Sequence, residues 1–155
     1  MAKDVIVVTG IGGMGIACAR RLGTGHRLVI SDFVPDKLAA EAEVLSGEGF
    51  DVIAQPVDVS DRATVDALAK VAADAGRLRT IVHTAGVSPT MASGPRVLEI
   101  DLMGTENVLN AFLPHAVEGT VAVCIASMAG YVAGLTSKTE LAIATCPPED
   151  LVEAP

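Results

Sequence analysis

A glycine-rich segment near the start of the chain has the spacing of a phosphate-binding turn. In the sequence TGIGGMG, the residues Gly10, Gly12 and Gly15 fit the pattern G-x-G-x-x-G, with Gly13 and Met14 between the last two of them. Glycines at these places let the chain turn sharply, let the backbone approach a pyrophosphate and let the next helix pack closely. The N–H groups at the start of that helix would face the phosphates. Without further support, the same pattern would also suit a glycine-rich turn that binds nothing.

An acidic residue lies at the distance from this turn that a dinucleotide site requires. Asp32 follows Gly10 by 22 residues (32 − 10) and ends the apolar segment RLVISD. A carboxylate there can accept hydrogen bonds from the ribose of adenosine and would repel the additional phosphate of NADP. Phe33 follows, and not a basic residue that would hold this phosphate. The turn and the acid together predict a site for NAD(H), although Asp32 alone would also suit a strand-end acid that caps the next turn.

The elements that position these residues alternate between apolar runs and helix-forming segments. We predict strands over Val5–Thr9, Arg27–Asp32, Asp51–Val57, Arg79–Thr84 and Thr120–Ala126. We predict helices over Ile16–Leu22, Asp36–Leu45, Asp61–Ala75 and Pro95–Ala116, the third with Ser60 as its N-cap and Gly76 at its end. This alternation is typical of an α/β Rossmann fold, a doubly wound parallel sheet of about five strands with helices on both faces.

Composition excludes several classes of function. The chain has 155 residues, a net charge of −8 and 50% hydrophobic residues, which predicts a globular domain that binds neither nucleic acid nor an anionic membrane. No apolar run has the length of a membrane span. The first residues, Met1 to Asp4, lead directly into a strand, so we expect no signal peptide and a cytoplasmic protein. The cysteines and histidines are scattered, and we expect no metal site.

Later segments of the chain resemble the motifs of the short-chain dehydrogenase/reductase family, in the order in which that family carries them. Asp58 and Val59 resemble its D-V motif, which implies contacts to the adenine ring. His83-Thr84-Ala85-Gly86 resembles its N-N-A-G motif, in which Ala85 and Gly86 match and would flank the cofactor. We interpret His83 as a structural residue. Each motif also has a plainer explanation, such as a helix-capping turn at Asp58.

The catalytic half of the family pattern is less complete. Asp101 stands where many members carry a helix asparagine of a proton relay, and Ser127 resembles the active-site serine that polarises a substrate carbonyl. The family's tyrosine and lysine are four residues apart, whereas Tyr131 and Lys138 are seven apart (138 − 131). We interpret this as a chain that stops before the Tyr-x-x-x-Lys motif. A rearranged pair of Tyr131 and Lys138 is the alternative.

The resemblance implies an oxidoreductase that transfers hydride between the nicotinamide and an alcohol or carbonyl substrate. It also implies a nicotinamide cofactor, for which Asp32 favours NAD, and makes a homo-oligomer one possible state of the chain. We expect a dinucleotide-binding domain over residues 1–127 and a weakly structured tail over residues 128–155, with one short helix near Ser137–Ala144. Because Tyr-x-x-x-Lys is absent, a non-catalytic dinucleotide-binding module or a truncated remnant stays open as a second hypothesis.

Overall fold

The computed structural model describes residues 3–132, 134–147 and 150. The strands are β1 (Asp4–Thr9), β2 (Arg27–Ser31), β3 (Asp51–Ala54), β4 (Arg77–His83) and β5 (Val121–Cys124). The α-helices are α1 (Gly13–Leu22), α2 (Pro35–Gly47), α3 (Arg62–Ala75), α4 (Gly94–Val97), α5 (Gly104–Phe112), α6 (Ala129–Val132) and α7 (Ser137–Thr145). A π-helical turn (Leu98–Met103) joins α4 to α5, and a 3₁₀ turn (Leu113–His115) follows α5.

All five strands are parallel and form one sheet in the order β3-β2-β1-β4-β5. The carboxyl ends of β1, β2 and β4 meet at one edge, where Thr9 pairs with Ser31 on one side and with His83 on the other. The order reverses next to β1, since the chain moves outward to β3 and then returns across β1 to β4. Where the strand order reverses, a parallel α/β sheet has a crevice at the carboxyl ends of its strands, and ligands bind in this crevice.

The apolar core lies on both faces of the sheet. On one face Val7, Val29 and Ile81 pack with residues of α3 and α5, and on the other face Ile6 and Ile30 pack with residues of α1 and α2. In β1, alternate residues supply the two clusters, as the period of a strand requires. The predicted doubly wound α/β fold, with helices on both sides of a parallel sheet, is therefore confirmed.

Several boundaries differ from the prediction for local reasons. The third strand ends at Ala54 and not at Val57. The Val57 N–H nevertheless donates to the Asp32 carbonyl at 3.1 Å, so Pro56 does not end the pairing with the segment of β2. Asp61, and not Ser60, is the N-cap of α3, since its carboxylate accepts the Ala63 N–H at 3.0 Å. The Ser60 hydroxyl donates instead to Asp58 Oδ1 at 2.6 Å. The long helix predicted over Pro95–Ala116 is divided by the π-helical turn.

Two further findings concern the C-terminal part of the chain. The short helix expected near Ser137–Ala144 is present as α7. Among the described residues, no helix combines the length and the apolar character that a membrane span requires.

Candidate dinucleotide site

A cavity of about 610 Å³ opens at the carboxyl edge of the sheet. Its lining comes from the segments that follow β1, β2, β3 and β4, and from the region around α4. All the residues predicted to bind a dinucleotide line it: Gly10, Gly12, Gly13, Met14, Gly15, Asp32, Phe33, Asp58, Val59, Ala85 and Gly86. Residues from four separate segments thus come together in one space of a size typical for small-molecule sites.

Two glycines of the turn are required by the packing of the protein itself. Gly10 has a φ of +80°, and a Cβ there would lie 2.5 Å from the backbone of Ala85. A Cβ on Gly15 would lie 2.0 Å from the carbonyl oxygen of Gly10. The hydroxyl of Thr84 donates to the same carbonyl at 2.7 Å, which ties the turn to the segment after β4. These residues hold the floor of the cavity.

The other two glycines have no such neighbours. A Cβ on Gly12 or on Gly13 would meet no atom within 4 Å, although both residues line the cavity. Gly12 is the N-cap of α1, makes no side-chain capping bond and is followed by a first turn without acidic residues. The first N–H groups of α1 therefore have no side-chain acceptor, and this end of the helix suits an anion.

Asp32 is held firmly at the end of β2. Its Oδ2 accepts the Ile11 N–H at 2.9 Å, and its Oδ1 accepts the Val34 N–H at 3.1 Å. Lys37 Nζ also lies 2.8 Å from Oδ2. Lys37 lines the cavity and was not anticipated from the sequence. The available signal was its place in the first turn of α2, five residues after Asp32 (37 − 32).

A second carboxylate, Asp58, lies in the cavity with a cation of its own. Arg96 Nη2 donates to Asp58 Oδ2 at 3.0 Å, and Arg96 Nη1 donates to Ser60 and to Glu99. Burial raises the pKa of Asp58, but the hydrogen bonds from Ser60 and Arg96 outweigh it and hold this pKa below its usual value. Asp58 is thus a fixed anion in the wall of the cavity. Arg96, like Lys37, is a charged lining residue that the sequence did not reveal.

The segment after β4 is anchored from the π-helical turn. Asp101 Oδ1 accepts the Val87 N–H at 2.8 Å, and a Cβ on Gly86 would lie 3.2 Å from the same oxygen. Gly86 and Val87 both line the cavity. Asp101 therefore fixes the backbone of the segment after β4, which forms a wall of the cavity, by a direct hydrogen bond.

His83 is a buried structural link beneath this wall. Thr105 donates its hydroxyl proton to the Asp101 carbonyl at 2.7 Å, so the 3.1 Å contact between His83 Nε2 and Thr105 uses the Nε2–H. Nδ1 is then bare and accepts from the Thr9 hydroxyl at 2.6 Å. Burial lowers the pKa of His83, and the nearby Asp101 opposes this only in part. The ring is accordingly a neutral member of a hydrogen-bonded chain.

Of the residues predicted for catalysis, Ser127 and Lys138 are not among the described residues that line the cavity. Ser127 is exposed, and its hydroxyl accepts the Ala129 N–H at 3.1 Å, a local bond at the start of α6. Lys138 is exposed in the first turn of α7. The backbone of Tyr131 is in α6, but its side chain lies outside the described part of the structure. The roles predicted for these three residues stay predictions.

Comparison with known proteins identifies the class of fold and then the family. Residues 3–138 match the family model for short chain dehydrogenases. A short-chain dehydrogenase/reductase from Burkholderia phymatum, solved in complex with NAD, is 30% identical with a TM-score of 0.71 over 83% of this chain and 50% of that one. A short chain dehydrogenase from Mycobacterium smegmatis is 28% identical with a TM-score of 0.75, over 99% of this chain and 72% of that one. The chain belongs to the short-chain dehydrogenase family.

One curated relative shows how much of the family protein is present. The short-chain dehydrogenase/reductase bsc3 of Alternaria brassicicola is 31% identical over 131 residues, which are 84% of this chain and 48% of that protein. The chain spans about half the length of this relative. Residues 3–138, which match the family model, include the glycine turn, Asp32, Asp58 and the segment after β4.

Proposed function

We propose that the chain binds a nicotinamide dinucleotide, with NAD(H) preferred, as part of an oxidoreductase acting on an alcohol or carbonyl substrate. The pyrophosphate lies against Gly12 and Gly13, and the adenosine ribose lies against Asp32. The division into a binding domain over residues 1–127 and a tail beyond it belongs to the same proposal. So do a cytoplasmic location and a homo-oligomeric state.

The observation that carries this proposal is that one anion-binding element and one ribose-binding element lie side by side in the same cavity. The start of α1 offers uncapped N–H groups, and Asp32 offers acceptor oxygens at the adjoining strand end. The pyrophosphate and the ribose of a dinucleotide need these two groups next to each other.

Within this proposal the chain positions the cofactor, and the nicotinamide supplies hydride transfer. Because β2 and β3 receive the adenosine half, the other half extends across β1 towards β4. Gly86 and Val87, which Asp101 holds, form the wall that orients this half. Ser127, beyond the end of β5, is the candidate for orienting the substrate oxygen.

A non-catalytic dinucleotide-binding module is the second candidate. It is favoured by the position of Ser127, whose hydroxyl is engaged with Ala129 and which is not among the residues lining the cavity. This candidate shares the cofactor site with the first and differs only in chemistry, so binding alone does not separate the two.

Calorimetric titration of the chain with NAD⁺ and NADH tests the shared site. We expect binding by the unaltered chain and at least tenfold weaker binding by Asp32→Ala. Asp66→Ala, which removes an exposed ion pair with Arg62 on α3, is the matched control and should bind normally. Failure of the unaltered chain to bind either form at millimolar concentration would overturn the proposal.

Transfer of deuterium from a panel of deuterated secondary alcohols to NAD⁺ then separates the two candidates. Transfer that Ser127→Ala abolishes, with NAD⁺ affinity retained, would establish the oxidoreductase. Binding without transfer to any member of the panel would favour the non-catalytic module.

A further inference from the structure

The adenosine end of the cavity contains charges of both signs. Among the described residues, the charged side chains that line the cavity are Asp32, Lys37, Asp58 and Arg96. They form two ion pairs, Lys37 with Asp32 at 2.8 Å and Arg96 with Asp58 at 3.0 Å. An acid at the end of the second strand is normally taken as a charge that repels the 2′-phosphate of NADP. In this chain that charge has a counterion.

We propose that Lys37 sets the choice between NAD(H) and NADP(H), because it neutralises Asp32 and offers an ammonium group to the 2′-phosphate, so that the chain binds both dinucleotides. This inference rests on the proposed function. The inference goes beyond the proposed function because it assigns the specificity for the adenosine end of the cofactor to a residue of α2.

The hydrogen bonds of Asp32 leave room for a ribose with Lys37 in place. A carboxylate has about four acceptor positions. Ile11, Val34 and Lys37 use three of them, two on Oδ2 and one on Oδ1. One position on Oδ1 is then open to a ribose hydroxyl. NAD(H) can therefore bind without displacing Lys37.

Lys37 is also the member of the pair that can turn towards a phosphate. The Asp32 side chain is only 10% exposed and is fixed by two backbone N–H groups, whereas the Lys37 side chain is 43% exposed. An ammonium group has three donors, and the bond to Asp32 uses one of them. Lys37 can thus bridge Asp32 and a 2′-phosphate.

Arg96 is less suited to this task. Its guanidinium donates to Asp58, to Ser60 and to Glu99, so that two carboxylates already share its charge. Lys37 has one carboxylate partner and lies in the first turn of α2, where the end of the helix dipole adds to a positive potential. The geometry therefore favours Lys37 as the cation for a 2′-phosphate.

The test is titration of the full chain and its variants with NAD⁺ and NADP⁺, and with 5′-AMP and adenosine 2′,5′-bisphosphate as fragments. We expect the Kd for NADP⁺ to exceed that for NAD⁺ by less than about tenfold in the unaltered chain. Lys37→Met should raise this ratio by about ten- to a hundredfold, since a charge-assisted bond is lost and Asp32 is left unpaired. The affinity for NAD⁺ should stay the same or increase.

Two further variants make the result specific. Lys37→Arg keeps the cation and should keep NADP⁺ binding. Lys70→Met removes another exposed Lys–Asp pair, the one with Asp74 on α3, and should change neither affinity.

The possible outcomes separate this inference from the proposed function. The inference would be overturned if Lys37→Met left the ratio of the two Kd values unchanged. It would also be overturned if the variant lost affinity for both nucleotides equally, because Lys37 would then have a purely structural role. NAD⁺ binding with an unmoved ratio would leave the proposed function intact. If neither nucleotide binds the unaltered chain, the proposed function and this inference fall together.

Discussion

Within one turn, glycine serves two physically different purposes. At Gly10 and Gly15 a side chain would collide with backbone atoms of the protein, at 2.5 Å and 2.0 Å. At Gly12 a side chain would meet nothing within 4 Å, and only a molecule in the cavity would contact it. Packing accounts for the first two glycines, and the proposed dinucleotide would account for the third. Substitution by alanine should separate the two purposes.

We predict that Gly12→Ala weakens NAD(H) binding at least tenfold while the free energy of unfolding changes by less than about 1 kcal/mol, because its methyl group enters the cavity and not the protein core. Gly15→Ala should instead lower the free energy of unfolding by about 1–3 kcal/mol through overpacking. Urea denaturation and calorimetric titration of both variants measure these effects. Gly47→Ala, also without close neighbours but outside the cavity, is the control for both assays. Equal loss of stability in Gly12→Ala and Gly15→Ala would contradict the prediction.

A second prediction at the level of single residues concerns His83. Burial lowers the pKa of His83 in the folded state, so the unfolded chain binds the proton more readily. The stabilisation by the neutral ring is therefore complete above the unfolded pKa of about 6.5 and is lost as the pH falls through the lower folded pKa. We expect the melting temperature to decrease from about pH 7.5 to pH 5.5.

The variant His83→Asn should flatten this pH dependence, because an amide hydrogen-bonds without titrating in this range. His115 is exposed in the 3₁₀ turn, and His115→Gln is the matched control that should keep the slope of the unaltered chain. Thermal melts followed by circular dichroism provide the measurement. If the melting temperature of His83→Asn still decreased with falling pH to the same extent, another group would be responsible for the pH dependence.

At the scale of elements, the π-helical turn positions Asp101 against the segment that follows β4. It brings Asp101 to the Val87 N–H at 2.8 Å, and it carries the carbonyl to which Thr105 donates. Turns of this kind are rare and are frequently found at functional sites. Here the turn connects the helix layer to the wall of the cavity that follows β4.

We predict that Asp101→Ala lowers the free energy of unfolding by about 1–2 kcal/mol, because it leaves the Val87 N–H without its acceptor. It should also weaken dinucleotide binding, since Gly86 and Val87 line the cavity. Asp101→Asn retains an oxygen acceptor and should restore most of the stability. Urea denaturation of the two variants side by side measures this difference. Equal stability of Asp101→Ala and the unaltered chain would show that the bond contributes nothing.

The same scale shows how much of this molecule can be predicted from the sequence. The strands are continuous apolar runs, and glycines, prolines and acids mark their ends, so their order and type follow from pattern alone. The start of α3 moved by one residue, because the Asp61 carboxylate accepts the Ala63 N–H and caps the helix. The residues after β1, β2, β3 and β4 could be assigned to one cavity, because parallel strands bring their carboxyl ends together.

The two cations of the cavity could not be predicted in this way. Lys37 reaches Asp32 because the first turn of α2 folds back beside β2, and Arg96 reaches Asp58 across 38 residues (96 − 58). Neither distance is encoded by a motif, since each depends on how one helix is placed relative to a strand end. Sequence patterns identified the carboxylates, and tertiary structure was needed to identify their partners.

At the scale of the whole molecule, the apolar layer on one face of the sheet stops short of β5. Val82 is 4% exposed in the cluster formed with α1 and α2. Its register partner Val123 lies on the same face but is 44% exposed, and Val121, two residues away on that face, is 51% exposed. Within the described part of the chain, β5 also has a neighbouring strand on one side only. An apolar face beside such a strand edge favours association with other chains.

We therefore predict that the isolated chain self-associates. Size-exclusion chromatography with light scattering should detect species larger than the 15.8 kDa monomer. The double variant Val121→Thr, Val123→Thr should shift the distribution towards the monomer, because it removes apolar surface from this face. Val44→Thr changes a valine of similar exposure, 47%, on α2 and should leave the distribution as it was. A chain that stays monomeric at the concentrations used for titration would contradict the prediction, since the exposed valines of β5 would then not drive association.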